Sequence, residues 1–216
     1  MVGDGWSQLP AGTRLMDRAD WDARYGASDL VWGTGPNRFV VEQVEHLAPG
    51  RALDVACGEG RNAIWLATLG WQVNAVDWSS VAVDRARRLA TERGVAVSWG
   101  VEDVLAWEPP PSSFDLVCLA YLQLQTSELE RVLATGAGAL APGGLLLDVA
   151  HDRSNLDGGH GGPQDSAVLA TPDEVAAALV AAGLVVERAE VVRRVVETTA
   201  GARTALDHVV RARRTA

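Results

Sequence analysis

The chain has 216 residues, 48% of them apolar, enough for one generous α/β domain with a sizeable core and no sign of a second. A formal net charge of −9 and a pI near 4.9 leave no broad basic stripe, so nucleic acid is not an expected partner. All 19 basic residues are arginine, which removes a phosphate-binding loop ending in Gly-Lys-Ser/Thr, Schiff-base chemistry and a tyrosine–lysine dehydrogenase pair.

Along the chain, MVGDGWSQLP lacks the basic and apolar blocks of a signal peptide, and no apolar run approaches the roughly 18–20 residues of a membrane span. A cytoplasmic protein with no membrane partner is expected, as monomer or homodimer. Residues 14–25 read as an amphipathic helix, and a second helix is expected to start at Pro36, with Val40, Val44 and Leu47 on one face and Pro49-Gly50 ending it. These form an N-terminal helical cap over 1–48. Alternation follows over a core of 51–213: strand 51–56, helix 61–69, strand 71–76, helix 79–93, strand 95–99, strand 114–120, helix 127–139, a Pro142-Gly143-Gly144 turn and strand 145–150. Such alternation predicts a three-layer, Rossmann-like sandwich with a mainly parallel sheet and helices on both faces. Cys57 and Cys118 sit in apolar, strand-like contexts and read as packing residues.

Residues 152–170 break the rhythm with four glycines and a proline between 158 and 163, as a lid or binding loop would, or a disordered insertion. The last helix is signposted by Thr171 as N-cap, Pro172, Glu174 closing a capping box and Gly183 as terminator. Two β-branched strands, 184–196 and 203–212, joined by TTAG, predict a hairpin that makes the end of the sheet antiparallel. No internal repeat is present.

The strongest motif is Leu53-Asp54-Val55-Ala56-Cys57-Gly58-Glu59-Gly60-Arg61-Asn62, a strand feeding through a glycine turn into a helix. In open parallel sheets ligands sit at such carboxyl ends, so a nucleoside cofactor is expected there. Gly58, Gly60 and Ala63 satisfy the dinucleotide fingerprint too, so the loop alone leaves a nicotinamide cofactor and S-adenosylmethionine both open. Asp54 would repel a pyrophosphate but suits the ammonium and sulfonium of S-adenosylmethionine, and Glu59 adds a second negative charge. Asp77 ends the next strand where a carboxylate accepts both ribose hydroxyls, Trp78 is placed to cover adenine, and Glu102-Asp103-Val104 follows the third strand within reach of the adenine amine.

Together DVACGEGRN, AVD, ED, FDLV and APGG resemble the ordered motifs of class I S-adenosylmethionine-dependent methyltransferases over roughly 15–151, and DxxCGxGRNAxxLAxxG with W-D-x-R-Y resembles bacterial enzymes of the tellurite-resistance and thiopurine type. The resemblance implies a seven-stranded sheet with an antiparallel last strand. It implies cofactor roles for Asp54, Gly58, Gly60, Asp77 and Asp103, with Trp21, Tyr25 and Trp32 folding over the cofactor. Ala56, Arg61, Asn62, Ser79, Val104 and Ala120 complete the expected lining.

Methyl transfer to a small-molecule acceptor, leaving S-adenosylhomocysteine, needs a base only if the acceptor loses a proton as it attacks. Tyr121, His151 and His160 are the catalytic candidates, with Gln123 and Asn155 nearby, although glutamine is no base. His46 and His208 read as structural or solvated, and no metal-ligand spacing occurs. Trp65, Trp71 and Trp99 read as core, Trp6, Trp21 and Trp32 as site candidates, and the arginines at 211–214 as a solvated tail. An NAD(P)-dependent oxidoreductase and a non-catalytic S-adenosylmethionine-binding protein are the alternatives, and the acceptor atom (S, Se/Te, O or N) is open.

Overall fold

The computed structural model describes residues 16–216; Trp6 and the first two residues of the helix expected over 14–25 lie outside them. Helices α1 (Arg18–Gly26) and α2 (Arg38–Val44) precede a seven-stranded sheet in the order β3-β2-β1-β4-β5-β7-β6. Its parallel part is β1 (Arg51–Val55), β2 (Gln72–Asp77), β3 (Ser98–Val101), β4 (Phe114–Ala120) and β5 (Leu140–His151). Between them run α3 (Arg61–Thr68), α4 (Ser80–Arg93) and α5 (Thr126–Ala139), while α6 (Asn155–Gly158) and α7 (Pro172–Ala181) lead to β6 (Leu184–Thr198) and β7 (Gly201–Arg214). Strand β7 inserts antiparallel between β5 and β6, so the expected architecture and its antiparallel last strand are present.

Period-two alternation divides the core. Leu53, Val117, Leu119 and Leu146 point to one face, where α5 and α7 bring Leu133 and Leu179; Ala52, Leu116, Cys118 and Leu147 point to the other, against Val40 and Val44 of α2 and Leu66 of α3. Both cysteines are free and buried.

Several boundaries move for local reasons. Helix α2 starts at Arg38 because Asn37, not Pro36, caps it, its side chain accepting from the amides of Phe39 (2.8 Å) and Val40 (3.3 Å). Strand β3 forms three residues later than expected. Pro142-Gly143-Gly144 is a bulge within β5 and not a turn before it: the pairing jumps from Phe114↔Leu140 to Leu116↔Leu145, and a Cβ on Gly144 would lie 2.9 Å from the Ala141 carbonyl. The arginines at 211–214 belong to β7, with Arg211 and Arg213 each 2.7 Å from Glu187, so they are sheet residues and not a tail. The capping box of α7 forms as expected, Thr171 N donating to Glu174 at 2.9 Å.

Candidate functional site: a cleft at the carboxyl ends of the strands

Strands β1, β2 and β4 end on one rim, and the loops leaving them meet α1 and the segment 162–168 around a cleft of about 730 Å³. The glycine turn forms its floor. Gly58 has φ +54 and Gly60 φ +78, which other residues adopt only at a cost. Gly58 also accommodates the cap, because a Cβ there would lie 2.8 Å from the Tyr25 hydroxyl. Ala56 (φ +56) and Tyr121 (φ +61) hold the same left-handed conformation without being glycine, both on the cleft wall. Strained backbone of this kind persists where the surrounding structure imposes it.

Asp77 organises the loop: its carboxylate accepts from Gly58 N (2.8 Å) and Ser79 N (2.9 Å), while burial raises its pKa. Asp54 lies below the loop. Its Oδ2 accepts from Ala63 N at 3.0 Å, capping α3, whose N-cap Gly60 has no side chain to do so; its Oδ1 is buried with no hydrogen-bond partner among the described residues. Burial pushes the Asp54 carboxyl up to about 7.

The cap is fastened by Glu59, which accepts from Val31 N (2.9 Å) and Trp32 N (3.2 Å) and pairs with Arg85 at 2.5 Å. Arg85 also donates to the Tyr25 carbonyl at 2.7 Å. The charge of Glu59 is therefore neutralised within the protein, contrary to the expectation that it adds negative potential for the ligand. Trp21, Tyr25 and Trp32 form an aromatic cover, with Trp21 centred 5.6 Å from Tyr25 and 6.3 Å from Trp32. Trp32 Nε1 donates to the Tyr25 hydroxyl at 3.2 Å.

Of the expected cofactor residues, Trp21, Tyr25, Trp32, Ala56, Gly58, Arg61, Asn62, Asp77, Trp78 and Ala120 line the cleft. Others do not. Gly60 turns its α-carbon to Trp99, whose ring a Cβ would overlap. Ser79 is fully buried as the N-cap of α4, accepting from Ala82 N and donating to Asp22. Glu102, Asp103 and Val104 also stand off: Asp103 is bonded to the Leu105 amide at 2.9 Å, and Leu105 takes the place on the wall.

The catalytic candidates separate too. Tyr121 lines the cleft, but burial and the Asp207 carboxylate hold its pKa far above the ordinary phenol range, and its hydroxyl donates to Asp207 at 2.8 Å, so it is a donor and not a base near neutrality. His151 and His160 lie in a neighbouring cavity; His151 is 3.0 Å from Asp207 and covered by Gly162. His208 is buried against Asp148 at 2.8 Å. Sequence reasoning did not single out Leu105, Leu122, Leu124 or Val168 as wall residues, since apolar residues carry no chemical signature of their own, nor Glu128, which reads as an ordinary first-turn acid of α5. Both amide atoms of Gln123 are buried on the same wall with no hydrogen-bond partner among the described residues.

Residues 52–144 match the methyltransferase domain family. A solved S-adenosylmethionine-dependent methyltransferase from Methanosarcina mazei superimposes with TM-score 0.65 at 19% identity, covering 84% of this chain and 99% of that one. TehB from Haemophilus influenzae does so with TM-score 0.67 at 17% identity, covering 92% and 67%. The fold is that of the class I methyltransferases. A ubiquinone biosynthesis O-methyltransferase of Xanthomonas euvesicatoria is 35% identical over 131 residues, 59% of this chain and 54% of that protein. The chain spans about half the length of the curated relatives it matches.

Proposed function

We propose that the protein transfers a methyl group from S-adenosylmethionine to a small-molecule acceptor enclosed by the cap and the segment 162–168. The observation that carries this reading is the cleft itself, where a positive-φ glycine turn, the carboxylate of Asp77 and three aromatic residues converge at the carboxyl ends of β1 and β2. The residues fit the cofactor: Asp77 lies at the strand end suited to ribose hydroxyls, Trp78 beside it suits adenine, and the unpartnered Oδ1 of Asp54 supplies negative potential under the loop. When bound, S-adenosylmethionine supplies an electrophilic methyl on a sulfonium that leaves as a neutral thioether.

The protein's task is then to hold and orient. Placing the acceptor nucleophile in line at about 3 Å converts an encounter into an intramolecular step. Leu105, Leu122, Leu124 and Val168 give an apolar wall, and the Gln123 amide offers one donor and one acceptor to a hydroxyl or carbonyl on the acceptor. An oxygen acceptor of quinone type agrees with the named relative. Its proton would pass to Glu128 or Asp165, two of the carboxylates on the wall, since no histidine lines the cleft among the described residues.

The test is calorimetric titration with S-adenosylhomocysteine and, separately, NADH. Binding of the former alone, weakened about 10- to 100-fold in Asp77→Asn by loss of charged hydrogen bonds, is expected. Binding of NADH alone would overturn the reading.

A further inference from the structure

Behind the cleft lies a second cavity of about 310 Å³, sharing Trp32, Arg61, Tyr121 and Gly162 with the first. In a chain of net charge −9 its lining runs the other way, presenting Arg38, Arg61 and Arg194 against one acid among the described residues, Glu197.

The charges are poorly balanced from within. Arg61 stands at the junction of the two cavities; it makes one long hydrogen bond, 3.5 Å to the Trp32 carbonyl, and no ion pair with a described residue. Arg194 reaches Asp207 at 2.7 Å, but that carboxylate also takes the Tyr121 hydroxyl at 2.8 Å and His151 at 3.0 Å. Arg38 pairs with Glu42 on the outside at 3.2 Å. A guanidinium does not shed its proton, so a half-buried one without a carboxylate carries a desolvation cost that an anion would relieve, and its planar fork fits two oxygens at once.

We infer that this cavity is a subsite for an anionic oxygen group, a carboxylate or a phosphate monoester, borne by the methyl acceptor, whose reacting end lies in the cleft. Tyr121 and Arg61, shared by both spaces, join the subsite to the reacting end. The inference rests on the proposed methyl transfer for the word acceptor, but not for the anion site.

The experiment titrates the protein, saturated with S-adenosylhomocysteine, with benzoate, phenyl phosphate and methyl benzoate. At least tenfold tighter binding of one or both anions than of the neutral ester is expected, with the stronger anion identifying the group. Arg194→Gln should remove the preference while leaving S-adenosylhomocysteine affinity within twofold. Arg38→Gln, at an exposed position that the fold does not need, should reduce the preference severalfold and guards against misfolding of the Arg194 variant. Equal binding of the three probes, no binding of any, or an anion preference untouched by both substitutions would overturn the inference. A matching loss of S-adenosylhomocysteine affinity in Arg194→Gln would assign the cavity to the cofactor and overturn it as well. Failure of the wild type to bind S-adenosylhomocysteine at all would sink the methyltransferase reading, and the anion titration without it would still decide the subsite.

Discussion

Asp54 shows how one side chain can serve structure and ligand at different pH. Its carboxyl, raised from 3.8 to about 7 by burial, binds a proton in the folded state that the unfolded chain releases near pH 4. The native state thus holds the extra proton between about pH 4 and 7, and stability falls as pH rises through that window, by on the order of 4 kcal/mol. Asp54→Asn keeps an oxygen for the Ala63 amide and removes the titration. Its melting temperature should match the wild type near pH 4 and exceed it increasingly up to pH 8, while its affinity for S-adenosylhomocysteine at pH 8 falls. Parallel melting curves of the two proteins across pH 5–8 would refute the assignment. Asp54 was legible in the sequence as an acid out of place in a cofactor strand. That it works through α3 from beneath the loop was not, because capping depends on a backbone amide nine residues away.

At the scale of elements, the cap is held by ionic and aromatic contacts more than by regular structure, since α1 and α2 are 9 and 7 residues long and too short to persist alone. Glu59→Gln breaks the buried pair with Arg85 and weakens the bonds to Val31 and Trp32. Hydrogen exchange should then accelerate at those two amides by an order of magnitude or more, with little change in β1 and β4. Uniform acceleration through the sheet would mean that Glu59 serves the core instead. A second element-scale prediction concerns the β5 bulge: Gly144→Ala places a methyl about 3 Å from two carbonyl oxygens and should cost about 1–3 kcal/mol, read as a lower denaturation midpoint. From β1 to α5 the helices and strands were expected within a residue or two, β3 excepted, but this bulge read as a turn because proline and glycine give the same signal in both.

For the whole molecule, cofactor binding couples to folding. With S-adenosylhomocysteine at 100 times its Kd, stabilisation is about 2.7 kcal/mol, which for a chain of this size raises the melting temperature by roughly 5–10 °C. NADH at the same concentration should leave the transition where it was. A shift from NADH and none from S-adenosylhomocysteine would reverse the cofactor assignment.

The sequence by itself determined the alternation of strands and helices, the closing hairpin, the glycine turn and the acids at the ends of β1 and β2. These are local patterns: period-two and 3.6-residue hydrophobicity, capping residues and a motif within ten consecutive positions report on the backbone around them. Only the tertiary structure decided that Leu105 and not Asp103 faces the cleft, that Glu59 fastens the cap, that the two candidate histidines stand in a separate cavity, and that arginines from α2, α3 and β6 share it. Those outcomes depend on bringing to one cavity residues as far apart as Arg61 and Arg194, which the sheet order sets and no local pattern carries.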